Sequence, residues 1–357
     1  MQILISFLLC FFPILYILRK LKQNRFLRKG LHNRGVFLSV TAILSILTAF
    51  FRTYLMGYVV YAIICYLIFD FLCFILKHLN RKIYHTFRKI TGNGIVIFIL
   101  AIVVTALSSV HVKKIHVVNY DIKLEKVLPK DIRLMLITDM HLGTTTNEAT
   151  FHHISTCAME QNPDYIVLGG DIFDESTSDD LLEIAYQKFS QLANQYKIYY
   201  VLGNHEYARG EIETLVERME QIGVHVLMDE IEFVDQCFYL VGRMDRNNSF
   251  ISKKERSSLK ELMGLVNFNY PVILVDHQPV ELEKAKELGV DLVLSGHTHA
   301  GQFFPMSIFA SFLNERLYGL SKEQSFYTIV SSGIGVWGMA MRNASNSEIV
   351  IIDLSSQ

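Results

Sequence analysis

Residues 165–174 read YIVLGGDIFD: four large apolar residues, a glycine pair, then two aspartates three positions apart. A short apolar run closed by glycine reads as a strand buried on both faces. Glycine lets the backbone turn sharply where the aspartates begin. The same arrangement recurs. Residues 133–141 read RLMLITDMH, 198–206 read IYYVLGNHE, 272–278 read VILVDHQ and 292–299 read LVLSGHTH. Five apolar runs thus each deliver Asp, Asn or His to their carboxyl ends, the place where α/β sheets put ligands.

Between these runs lie polar stretches of helical character at 147–160, 180–194, 211–221 and 280–288, and further strand patterns lie at 237–242, 325–331 and 348–353. Alternation of this kind predicts an α/β fold with substantial sheet content. The convergent residues form one chemical set of carboxylates, imidazoles and an amide oxygen, without thiolate. A mixed O/N set suits borderline divalent ions, Mn²⁺ first and Fe²⁺ or Zn²⁺ as alternatives. There are too many ligands for one ion. Two ions that share a carboxylate use them all, and such a pair can ionise a water and neutralise a phosphoryl centre during in-line attack. The single histidines His111, His116, His152, His153 and His225 read as ordinary structural residues, and Asp276 reads as a packing or hydrogen-bonding residue behind His277.

The ordered set D-x-H, G-D-x-x-D, G-N-H-E, an isolated His and G-H-x-H resembles the calcineurin-like metallophosphoesterase family across most of residues 132–299. The resemblance implies two mixed sheets packed face to face with helices outside. It implies Asp139, His141 and His299 on one metal, Asn204, His277 and His297 on the other, and Asp171 bridging them. It implies that His205 faces the substrate phosphate and helps the leaving group depart, that Asp174 orients His205, and that a metal-bridging hydroxide attacks phosphorus. Glu175-Ser176 stands where the phosphoprotein phosphatases have Arg-Gly, which argues against protein phosphatase activity. The run from Gly296 to Gln302 is similar to a membrane-anchored bacterial subgroup that includes UDP-2,3-diacylglucosamine pyrophosphatase-like phosphodiesterases, with Ala300 in place of the usual Gly. Arg342 resembles the late arginine of that subgroup, which implies a substrate-binding role, although Asn346-Ser347-Glu348 departs from the residues that usually follow.

Outside this region the chain is of another kind. Residues 1–110 hold 13 Lys/Arg and one acid, Asp70, whereas residues 111–357 hold 21 Lys/Arg and 34 Asp/Glu. The formal net charge of −1 therefore hides +12 against −13. An acidic soluble part excludes nucleic acid as the main partner. Apolar segments at 3–18, 36–51, 54–76 and 95–110 predict about four membrane helices over residues 1–111, followed by a phosphoesterase domain over 112–357. The loops 19–34 and 77–94 carry seven and five basic residues and no acid. Positive loops stay cytoplasmic, which predicts a multi-pass cell-membrane protein with its catalytic domain on the extracytoplasmic side. Asp70 reads either as an ion site or as a residue answered by interfacial water or a neighbouring helix, and the second is favoured. Five cysteines without CxxC spacing predict at most one disulfide.

The favoured function is a membrane-anchored dinuclear phosphoesterase acting on a phosphodiester or pyrophosphate, with a lipid-linked substrate and the bilayer as partners. The alternative is a transporter or sensor whose phosphoesterase-like domain only binds ligand. Residues 303–313, FFPMSIFASFL, allow two readings: a helix packed into the core, or an apolar lip beside the site.

Overall fold

The continuous apolar runs of the sequence become strands because both of their faces find cover. In the computed structural model, which describes residues 2–92, 94–246 and 255–356, Leu134 and Leu136 of strand Ile132–Ile137 face a second sheet, while Met135 and Ile137 face helices. In Tyr165–Leu168, Tyr165 and Val167 likewise point one way and Ile166 and Leu168 the other. A side-chain period of two with both faces buried requires an apolar residue at every position.

Contacts divide the chain into two units, Met1–His111 with Gly338–Met341, and Val112–Trp337 with Arg342–Gln357. The first contains helices α1 (Gln2–Leu21), α2 (Arg25–Gly30), α3 (Arg34–Phe50), α4 (Arg52–Leu79), α5 (Arg81–Thr91) and α6 (Ile95–His111). Helices cover all four apolar segments. Among the described residues one, Thr53–Leu79, is by itself long and apolar enough to cross a bilayer, and α3 is apolar but only 17 residues long. Asp70 on α4 is answered by α1: Lys20 Nζ reaches both carboxylate oxygens, at 2.7 and 2.5 Å, and Tyr16 donates at 2.9 Å. A neighbouring helix therefore meets the charge.

The second unit is two six-stranded sheets. The first has the order β1-β12-β2-β3-β4-β5, with β1 Ile115–Leu124, β2 Ile132–Ile137, β3 Tyr165–Leu168, β4 Lys197–Tyr200, β5 Val224–Val226 and β12 Ser347–Ser356. The second has the order β10-β11-β9-β8-β7-β6, with β6 Glu230–Val234, β7 Phe238–Gly242, β8 Val272–Val275, β9 Leu292–Ser295, β10 Gly319–Glu323 and β11 Phe326–Val330. One core lies between the sheets, where Leu134, Val167 and Tyr199 meet Leu240, Ile273 and Leu294. Helices α7 (Glu148–Gln161), α8 (Asp179–Ala193), α9 (Asn204–Arg209) and α10 (Ile212–Gln221) follow strands of the first sheet, and α7, α8 and α10 cover its outer face. Helices α11 (Leu259–Met263) and α12 (Leu282–Glu287) cover the second. The expected two-sheet sandwich flanked by helices is present.

Some strands were not legible in the sequence. β1 alternates partly buried and exposed residues at the sheet edge, and β5 and β10 are short or polar. Helix α13 (Met306–Leu313) contains no buried residue, so the core-packing reading of 303–313 fails for the helix, while Phe303 ahead of it is buried. All five cysteines are free thiols.

Candidate metal centre

The loops that leave β2 and β3 are laced together through their backbones. Asp139 N donates to Gly170 O at 2.9 Å and His141 N to Asp171 O at 3.0 Å. Glu206, fully buried at the start of α9, then fixes the β3 loop. Its carboxylate accepts from the amides of Asp171 (2.9 Å), Ile172 (2.6 Å), Phe173 (3.0 Å) and Gly203 (2.8 Å), and from Tyr200 Oη (2.7 Å). A buried carboxylate that takes five donors satisfies groups which would otherwise cost free energy. From the second sheet, His297 N donates to both oxygens of Asp139 at 2.9 and 3.0 Å.

The backbone bends hard to bring these groups inward. Asp139, His141, Asp171, His297 and His299 all adopt positive φ, between 44° and 70°. Non-glycine residues held there store strain of about 1 kcal/mol or more each, a feature concentrated at functional sites. Two glycines permit the close approach. A Cβ on Gly203 would stand 2.3 Å from Asp171 Oδ1, and one on Gly296 would stand 2.2 Å from Asp139 Oδ2.

Three overlapping groups result, each with ligand atoms within 4.8 Å of one another: Asp139, His141 and His299; His141, Asp171 and His205; Asp171, His277 and His297. Asp171 Oδ2 lies 3.1 Å from His277 Nε2 and 3.8 Å from His141 Nε2, between the outer two groups. His141 Nε2 and His299 Nε2 face each other at 3.2 Å, and His299 Nε2 is 3.7 Å from Asp139 Oδ1. Asn204 Oδ1 is buried and has no hydrogen-bond partner. Paired acceptors and an orphaned amide oxygen fit a cation site. A hydrogen bond sets the His277 imidazole and a close carboxylate sets that of His141. His277 Nδ1 meets Gly169 O at 2.9 Å, and His141 Nδ1 lies 3.3 Å from Asp174 Oδ2, so both turn Nε2 inward.

The electrostatics divide the histidines into two kinds. Burial pushes the His297 imidazole down to about 3 and holds His299 well below its ordinary range, which keeps both neutral as ligands must be. Burial also disfavours charge on His277, but the adjacent Asp171 outweighs it and raises that imidazole well above its usual value. His277 and His141 in turn hold Asp171 low against the opposing effect of burial. The Asp171 carboxylate therefore favours positive charge beside it.

Six of the seven sequence-predicted ligands, Asp139, His141, Asp171, His277, His297 and His299, fall within these groups, and Asn204 stands one residue before His205 in the turn that carries Glu206. Two other residues sit differently from the sequence reading. The acid that meets His205 is Glu175, whose Oε2 is 2.9 Å from His205 Nδ1. Asp174 is turned beneath His141 and is bonded there by Ser176 N and Oγ at 2.7 and 2.6 Å. Its short side chain, held by that turn, serves His141 instead. Arg342 is fully buried: its guanidinium donates to the carbonyls of Ser332, Gly333, Gly335 and Asn346 and stands 3.3 Å from His299 Nδ1. Its partners are backbone and His299. Asp276, as expected, is buried and bonded, here to Arg256. Sequence reasoning assigned no role to Glu175, Glu206 or Trp337. The signals were an extra acid after the second motif, the last letter of G-N-H-E, and the only Trp in the chain. Trp337 lies 5.6 Å from the His205 ring, and its backbone is held from both sides by the Gln302 amide, at 3.2 Å each.

A two-sheet sandwich that gathers Asp, Asn and His at its strand ends defines a metal-dependent phosphoesterase scaffold. The pattern of the Calcineurin-like phosphoesterase family matches residues 132–301. An uncharacterized metallophosphoesterase of Aquifex aeolicus is 30% identical over 72% of this chain and 98% of its own length. An uncharacterized metallophosphoesterase of Helicobacter pylori is 32% identical over 64% of this chain, and a transmembrane protein with metallophosphoesterase domain of Danio rerio is 32% identical over 72%. The chain matches 60% and 62% of the lengths of these last two. This chain belongs to the calcineurin-like metallophosphoesterase family.

Proposed function

We propose that this protein is a membrane-associated hydrolase of a phosphodiester or pyrophosphate, using two divalent ions, with Mn²⁺ the first choice. The observation that carries the reading is the position of Asp171, whose Oδ2 reaches imidazoles of both flanking ligand groups. Asp139, His141 and His299 would hold one ion, Asn204, His277 and His297 the other, and Asp171 would serve both. When bound, the two ions supply positive charge for the phosphoryl oxygens and acidify the attacking water. His205, with Nδ1 fixed by Glu175, holds a proton at Nε2 for the leaving oxygen. Asp174 and Arg342 act through His141 and His299 as positioning residues.

The apolar span Thr53–Leu79 and the named transmembrane relatives support membrane attachment. A multi-pass arrangement with the catalytic domain outside the cytoplasm follows from the two basic loops. The transporter or sensor alternative rested on Asp70, which Lys20 and Tyr16 already occupy.

Hydrolysis of bis(p-nitrophenyl) phosphate by the purified full chain is the test. Turnover should require added Mn²⁺ and vanish in Asp171→Asn. Full turnover after exhaustive EDTA treatment would overturn the reading.

A further inference from the structure

Among the described residues of the second unit, a run of exposed apolar side chains follows the turn that bears His299. No residue of α13 is buried, and Phe312 and Leu313 are each 83% exposed. Phe304, Ile308 and Phe309 are exposed with them, and so is Trp337 at 57%. From Gly296 to Asn314 the sequence carries no Lys, Arg, Asp or Glu. Helix α13 begins five residues after Gly301, where the turn bearing His299 ends, and Trp337 is tied to Gln302 within the same segment. Contiguous exposed apolar surface marks a binding face for a membrane or a protein.

The topology says which. β12 runs antiparallel to β2, with Val350 opposite Leu136, so Ser347 lies at the end of the sheet from which Asp139 emerges. β1 runs parallel to β12 with Ile115 opposite Ser347. The chain therefore enters the catalytic unit at the same pole as the metal-bearing loops. Apolar α6 ends at His111 and β1 opens at Ile115. Three residues separate them. A tryptophan at the rim suits the border between water and hydrocarbon.

We propose that Phe304, α13 and Trp337 form a lip seated in the acyl-chain border of the bilayer, so that a lipid-borne phosphodiester reaches the metal centre from the membrane side. The substrate class rests on the phosphoesterase reading above; the lip itself does not.

Trp337 is the only tryptophan, so emission of the native full chain excited beyond the tyrosine absorption band reports this lip alone. The chain is placed in metal-free nanodiscs of phosphatidylcholine and phosphatidylglycerol, with and without bromine on the acyl chains. Brominated lipid should remove about half of the emission, and aqueous iodide little of it, as for a ring at the interface. In Phe309→Ser/Phe312→Ser the lipid quenching should fall and the iodide quenching rise. Quenching by iodide but not by bromolipid in the native chain sinks the lip. Protection from both shows a protein cover, a second copy or a partner, and sinks it equally. Parallel assays with bis(p-nitrophenyl) phosphate and Mn²⁺ separate the two claims. Turnover without lipid quenching removes the lip and keeps the enzyme; lipid quenching without turnover keeps the lip and removes the enzyme.

Discussion

Glu206 accepts a hydrogen bond from the amide of Asp171 at 2.9 Å, and so the last residue of one motif sets the loop that carries the central residue of another. The same carboxylate takes three further amides and the Tyr200 hydroxyl. Glu206→Gln turns an NH₂ group toward N–H donors. The expected loss is about 2–4 kcal/mol of stability, from buried donors left unpaired. Thermal unfolding of the detergent-solubilised chain measures it, with an unchanged midpoint counting against the assignment.

Glu175 and Asp174 should separate cleanly. Glu175→Gln frees His205 Nδ1 and is expected to lower kcat by roughly tenfold or more while leaving bound metal unchanged. Asp174→Asn loosens His141 and is expected to weaken metal binding by about 10–100-fold. Metal content and steady-state kinetics on both variants decide this. The reverse pattern would restore Asp174 as the partner of His205.

Gly296→Ala places a methyl group 2.2 Å from Asp139 Oδ2, which must move. Metal affinity is expected to fall by about tenfold or more, read by titration with Mn²⁺. An Ala variant of native affinity would mean that the loop gives way freely.

Asp70→Asn leaves Lys20 without its carboxylate. The expected cost is about 2 kcal/mol in a membrane setting, seen as a lower melting temperature in detergent. Turnover per folded molecule should hold, and its loss would reopen a direct role for Asp70.

Metal binding should itself stabilise the fold. At a free Mn²⁺ concentration a hundredfold above Kd, linkage gives about 2.7 kcal/mol. EDTA should reverse the shift in melting temperature, and the shift should be absent in Asp171→Asn.

Much of the site is legible in the amino-acid sequence. Strand identity follows from apolar runs that both sheet faces require, as at Tyr165–Leu168, and ligand identity follows from the residue types at their ends. Glu175 is not separable from Asp174 in this way, because two adjacent acids differ only in where the turn aims them. Nor can α13 be assigned, because six apolar residues and two serines suit a core and an exposed lip equally well.

The sequence by itself determined the chemical inventory, the buried strands that carry the site and the charge division between residues 1–110 and 111–357, since each is a local property of composition and period. Only the tertiary structure decided which acid serves which histidine, that Arg342 spends its donors on carbonyls, and that α13 stays uncovered. Those outcomes depend on loops at positive φ meeting across two sheets, a balance of strain and long-range hydrogen bonds that no short stretch of residues encodes.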